Sequence, residues 1–187
     1  MTDSKLPGFK RVVTGHDAGG RAIIATQGTP GAFDLDAVPG TVFHEIWNTS
    51  SMPVRIDNGP DPTTGPLQLA PPSMGSRVRV VDIPPDAVQN AISDEDVAQA
   101  FASIGASHAS TPGQHDRHRL MHRTETLDYG IVLAGRIWLV LDEDEVELTP
   151  GDVVVQRGTN HAWSNRTEEM ARMVFILLDG RYADPEP

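Results

Sequence analysis

Cysteine is absent from the 187 residues, so disulfides, thiolate-held zinc and iron–sulfur clusters are excluded. Any metal would rest on imidazole and carboxylate, ligand types that suit iron, zinc, manganese, nickel or copper. Long apolar runs are missing as well: hydrophobic residues make up 39% of the chain, and no stretch nears the roughly 20 residues that cross a bilayer. No membrane partner is expected. The opening residues, Met1-Thr2-Asp3-Ser4-Lys5-Leu6-Pro7-Gly8, lack the apolar core of a signal peptide, which makes the cytoplasm the expected location. Basic runs are likewise lacking. The formal net charge is −11, so DNA or RNA would meet a repulsive average field, and no nucleic-acid partner is expected. There is no internal repeat and no low-complexity block. The length suits one domain with a sizeable core.

What is present is a series of short β-type segments separated by Gly, Pro, Asp and Asn, the pattern of an all-β sandwich or barrel. The expected strands are 11–13, 21–26, 41–48, 76–83, 127–134, 136–141, 145–148, 152–156, 161–164 and 171–178. In the sixth, Ile137, Leu139 and Leu141 share one face and Arg136, Trp138 and Val140 the other. Met173–Leu178 is apolar throughout and reads as a strand covered on both sides.

One short helix is expected near Asp94–Ile104. Ser93 is a good N-cap, Asp94, Glu95 and Asp96 suit the positive end of the helix dipole, Ile92 can staple onto Val97, and Gly105 stands where the helix should end. Two loops flank it: Asp57–Gly75, which carries Pro60, Pro62, Pro66, Pro71 and Pro72, and Ala106–Gln114. The first is either a lid or a surface excursion.

Chemistry-bearing side chains concentrate in two segments. If the chain runs extended from His122, then His122, Thr124, Thr126 and Asp128 point to one face, and the small Gly130 and Ala134 on that face leave room for a ligand. In the second segment, Pro150-Gly151-Asp152 is a turn into a strand, and Arg157-Gly158-Thr159-Asn160 a turn that delivers His161. Trp163 shares the parity of His161 and can flank a planar ligand, whereas Tyr129 and Glu125 have the opposite parity to Asp128. Arg157 is either a pocket-rim guanidinium that holds a substrate carboxylate or half of a surface ion pair. His118 and His122 are four apart, a helical zinc-ligand spacing, but His115 and His118 read better as part of a solvated loop. His44 alternates with Val42 and Ile46 and reads as a satisfied core histidine.

These two segments resemble the two motifs of the cupin superfamily. The first motif places two histidines one residue apart, an acid about four later and a glycine seven beyond it; His122, Thr124, Asp128 and Gly135 stand at those positions. Gly151, Gly158, His161 and Asn165 match the second motif, with Arg157 where proline is usual and the stretch one residue short. The resemblance covers about 120–178, and 41–83 is similar to the extra strands many cupins place upstream. It implies a cupin-type jelly-roll β-barrel over 1–187 as a single domain, with N-terminal strands in 1–85, helix and loop in 86–119, and the motif region in 120–180. It also implies a homodimer. Metal-binding cupins use three histidines and a glutamate; with Thr124 and Asp128 in place of two of these, the remaining set is His122, Asp128 and His161. That set either holds one divalent ion or has lost it. In the metal-free version His161 is the general acid or base and Asp128 orients it, with Thr124, Trp163 and Arg157 on the substrate. The expected function is that of a small-molecule enzyme: isomerase, lyase, decarboxylase or dioxygenase. The alternative is a non-catalytic barrel that binds or senses a small ligand.

Overall fold

Alternation of inward and outward side chains sets the architecture. The computed structural model describes residues 6–89, 92–109 and 117–183. Its strands are β1 (Arg11–His16), β2 (Ala22–Gly28), β3 (Phe33–Asp34), β4 (Val42–Thr49), β5 (Ser76–Ile83), β6 (Thr126–Ala134), β7 (Ile137–Leu141), β8 (Glu145–Leu148), β9 (Val153–Arg157), β10 (His161–Ser164) and β11 (Ala171–Asp179). The all-β expectation holds, and each expected strand appears with its ends moved by a few residues at most. The two-residue β3 was not foreseen, being too short to show a period. The helices are α1 (Asp86–Gln89) and α2 (Asp94–Ser103), so the single expected helix has a four-residue companion.

Six strands form the larger sheet in the order β3-β4-β5-β11-β6-β9, three form the smaller sheet as β10-β7-β8, and β1-β2 is a separate hairpin. Every pairing is antiparallel. The last strand in the sequence, β11, lies between β5 and β6, and so joins the N-terminal strands to the motif region. Its outer face is only half-buried at Val174 and Ile176, so the expectation of cover on both sides holds for one face alone.

The register lines up one interior row. Glu45 pairs with Arg79, Arg79 with Phe175, and Phe175 with Gly130, an inward row of odd positions on β4, β5 and β11 that meets an even one on β6. The neighbouring row runs from Arg77 through Leu177 to Asp128 and Gln156. Apolar residues of the same parity, Val81, Ile83, Ile137, Leu139 and Met173, make the core between the sheets. A second cluster forms where α2 sets Val97, Ala100, Phe101 and Ile104 against Val38 and Leu67, closing one end of the barrel. The expected cap of α2 is present: Ser93 accepts from the Asp96 N–H, and the Asp96 side chain accepts from the Ser93 N–H.

The loop 57–75 is pinned to the barrel. Arg11 bonds Asp61 and Thr63, the Arg77 Nε donates to the Ala70 carbonyl at 3.1 Å, and Arg79 donates to the Gln68 carbonyl. Asn165, fully buried, ties three elements together. Its Nδ2 donates to the Ile83 carbonyl at 3.0 Å and the Glu169 carbonyl at 2.8 Å, while its Oδ1 accepts from the Thr167 N–H and hydroxyl. Its backbone exchanges hydrogen bonds with Asp86 at the start of α1. Asn165→Ala strands these buried partners, and a loss of about 3 kcal/mol is expected, read as a lower urea midpoint with an unchanged slope.

Candidate functional site

A cavity of about 150 Å³ lies inside the barrel beneath α2. Its walls are mainly apolar: Phe43, Leu69 and Val81 from the larger sheet side, Ala100, Phe101 and Ile104 from the helix, with Trp163, Phe175 and Leu177. Into this setting the chain brings Thr41, Arg79, Gln89, His122, Thr124, Asp128 and His161.

His122 and His161 meet because their backbones pair. Each donates its N–H to the other's carbonyl at 2.9 Å, an isolated antiparallel bridge that ties the segment before β6 to the start of β10. The imidazole rings stand 4.4 Å apart between centroids. Both are anchored by backbone: His122 Nδ1 lies 2.9 Å from the Leu120 carbonyl and His161 Nδ1 lies 2.9 Å from the Thr159 carbonyl, with the Gln156 amide nitrogen also 3.0 Å from His161 Nδ1. With Nδ1 the protonated atom, each Nε2 is left as a lone-pair acceptor. Burial is the main reason both rings stay neutral. It lowers the His122 value, and it pushes His161 down to about 3, with His122 close by adding to the effect. Trp163 sets its edge against His161 at 5.8 Å, and Phe101 of α2 covers His122 at 5.3 Å.

Asp128 sits on the sheet opposite. Burial pushes its carboxyl up to about 6, against the opposing pull of a hydrogen bond from Thr126 and of the Arg79 charge. Its Oδ1 is buried and has no hydrogen-bond partner. The Thr126 hydroxyl is bonded in turn to Thr124 at 2.7 Å, so Thr124, Thr126 and Asp128 form a polar ladder along the inward face of one strand, as their alternation predicts.

Of the expected site residues, His122, Thr124, Asp128, His161 and Trp163 all line the cavity. Arg157 does not. It is exposed and pairs with Leu127, the outward neighbour of Asp128, while Gln156 takes the inward position opposite Asp128. Gly130 does not leave room for a ligand either: a Cβ there would meet the Trp163 ring at 3.3 Å and Phe175 at 3.4 Å. His118 is not on a helix with His122 but lies 3.5 Å from Asp86, and His44 faces outward toward Asp82 at 3.7 Å. His115 lies outside the described residues.

Sequence reasoning passed over Arg79, Gln89 and Phe101. The signal for Arg79 was available, since Arg77 and Arg79 share the parity of Val81 and Ile83 in a strand whose interior face must be buried. As for a metal, no three His, Asp or Glu side chains among the described residues gather to hold an ion. The two imidazoles are a partial donor set that Asp128, drawn into the field of Arg79, does not complete.

A family model described as "Cupin domain" matches residues 109–177. A relative from Diaporthe leptostromiformis, "Phomopsin biosynthesis cluster protein C'", is 37% identical over 179 residues, covering 91% of this chain and 78% of the relative. The chain is a cupin. "Cupin-domain-containing oxidoreductase virC" of Hypocrea virens is 30% identical to this cupin over 185 residues, 92% of this chain and 78% of the relative. Among solved structures, a "Cupin 2 conserved barrel domain protein" from Salinispora arenicola is 17% identical with a TM-score of 0.37, over 81% of this chain and 91% of that one.

The buried carboxyl generates a stability signature. Below about pH 4 Asp128 is protonated whether the chain is folded or not. Above that the unfolded chain ionises it freely, while the fold resists ionisation until about 6. Asp128 therefore removes stability as pH rises across this window, by roughly 3 kcal/mol in full. His161 acts in the opposite direction, its contribution being lost as pH falls from 6.5 to about 3. Asp128→Asn isolates the first effect: the variant should be more stable than the parent at pH 8, with the gap closing toward pH 4. Urea denaturation across pH 4–8 measures it, and a gap independent of pH contradicts the assignment.

Proposed function

We propose that this cupin is a small-molecule enzyme that moves a proton on a compact, oxygen-bearing aromatic or cyclic substrate, with Asp128 exchanging the proton. The observation that carries the reading is a carboxyl with an unpartnered oxygen, buried in an apolar cavity that two imidazoles also line. A cavity of about 150 Å³ is the size known to take one benzene ring, so the reacting part of the substrate is about one ring. A group works best as acid or base when it titrates near the working pH. Asp128, at about 6, meets that condition better than His161, at about 3. The roles expected from sequence are therefore exchanged: Asp128 is the acid–base, and His161 and His122 accept hydrogen bonds from substrate hydroxyls.

Atoms balance simply. Asp128, ionised, takes a proton from carbon next to a carbonyl, leaving an enolate; the protonated carboxyl then returns it to the same or a neighbouring carbon. Enolisation of this kind is common to isomerases and lyases, and the relatives named as oxidoreductases favour catalysis over simple binding. A second copy of the chain belongs to the reading too. The outer face of β6 and β9 exposes Tyr129, Leu133, Val153 and Val155, and sedimentation should give twice the 20.2 kDa chain mass; a monomer at micromolar concentration removes this part.

The central test is exchange of carbon-bound hydrogen in D₂O, followed by proton NMR on a panel of small aryl ketones and cyclic enones. Exchange should increase through about pH 6, fall at least 100-fold in Asp128→Asn, and survive dialysis against a chelator. Equal rates in the variant overturn the assignment. Binding without exchange transfers the protein to the class of ligand-binding barrels. Loss on chelation, with restoration by one divalent ion, moves the step to a metal on His122 and His161.

A further inference from the structure

Arg79 is a buried cation with more donors than acceptors. Its side chain is 3% exposed, and it lines the cavity from the middle of β5. One terminal nitrogen, Nη2, is used, lying 3.0 Å from Glu45 Oε1 and donating to the Gln68 carbonyl. Nε and Nη1 have no hydrogen-bond partner, and the guanidinium carbon stands 5.8 Å from the centre of the Phe43 ring. Buried guanidinium N–H groups left unpaired cost far more than neutral ones, and native proteins seldom leave them so unless a water, ion or ligand completes the set.

The charges point the same way. Glu45 is shared between Arg77 and Arg79, so one carboxylate faces two guanidiniums. Asp128 is the other acid that acts on Arg79, but it is not hydrogen-bonded to it. Its Oδ1 is itself unpartnered, and so is Gln89 Oε1, whose amide nitrogen donates to the Thr41 hydroxyl at 2.7 Å. Arg79, Asp128 and Gln89 all line the one cavity. The space therefore holds unpaired N–H donors on one residue and unpaired oxygen acceptors on two others, within apolar walls.

We infer that Arg79 is the oxygen-binding group of this cavity: its free N–H groups take a carbonyl, enolate or carboxylate oxygen borne on a single ring, while Asp128 and Gln89 accept from a hydroxyl on the same ligand. The ligand class is a small hydroxylated aryl or cyclic carbonyl compound, or the corresponding monoacid. In the proton-transfer reading the same contact stabilises the negative oxygen formed when carbon loses its proton. The inference shares with that reading the cavity as ligand site, and does not depend on the proton step.

Binding tests it without turnover. Benzoate, 3-hydroxybenzoate and toluene are titrated into the full chain by calorimetry, with proton NMR line broadening for the weakest. Benzoate should bind at least tenfold more tightly than toluene, and 3-hydroxybenzoate more tightly than benzoate. Arg79→Met should cut benzoate affinity at least tenfold and leave toluene within about twofold. Arg79→Lys, which keeps the charge but loses the planar donors, should fall between the two; it stands in if the methionine variant does not fold. Toluene binding as well as benzoate in the parent protein overturns the inference outright. So does benzoate affinity unchanged by either substitution. Asp128→Asn separates the two proposals: it should retain benzoate, and a variant that binds benzoate but lacks exchange activity leaves both standing. Exchange that depends on Asp128 together with benzoate binding indifferent to Arg79 sustains the proton step alone.

Discussion

One carboxylate held between two guanidiniums is the constraint around which the inner wall of the larger sheet is arranged. Glu45 lies in the middle of β4, and Arg77 and Arg79 reach it from alternate positions of β5. Ions taken out of water cost several kcal/mol each unless their partners are well placed, so the β4-β5 register has little freedom: a slip by one residue would put Glu45 and the two arginines on opposite faces. The loop 57–75 answers to the same need. Its Gln68 and Ala70 carbonyls accept from Arg79 and Arg77, so the proline-rich excursion supplies backbone oxygen to buried cations and is fixed there.

Two parts of the barrel are built on different terms. The α2 end is apolar, with Phe101 and Ile104 closing over the cavity. At Asn165 and Asp86 the elements are held by hydrogen bonds from side chains to backbone groups, and by one from the Ser164 hydroxyl to the Asp86 carboxylate. Between them the cavity wall changes from apolar to charged across the sheet. Phe101, Ile104 and Trp163 stand on the apolar side of that wall, and Arg79 and Asp128 on the charged side.

Most of the strand plan was legible because period-two alternation survives in short segments, and the inward side of 122–128 was legible for the same reason. Parity put His122, Thr124 and Asp128 on one face and Trp163 on that of His161, and the resemblance to the cupin motifs turned those faces inward. Arg157 misled because the turn at Gly158 follows it immediately; its position opposite Leu127, and not its closeness to His161 in sequence, decides which way it points. Arg79 and Glu45 were passed over because a charged residue in a strand ordinarily marks the solvent face; the parity of Arg79 with Val81 and Ile83 spoke against that, and the pairing of β4 with β5 brings Glu45 inside beside it. That His122 would pair with His161 required long-range register, which composition and spacing do not carry. α1 and β3 are held by tertiary contacts and are too short for a pattern of their own.

Both imidazoles are fixed by the carbonyl two residues earlier in the same chain, Leu120 for His122 and Thr159 for His161. A three-residue stretch of backbone thus orients each ring, and at His161 the Gln156 amide nitrogen also stands 3.0 Å from Nδ1. Substitution of the chamber's walls therefore leaves in place the backbone contact that holds each ring.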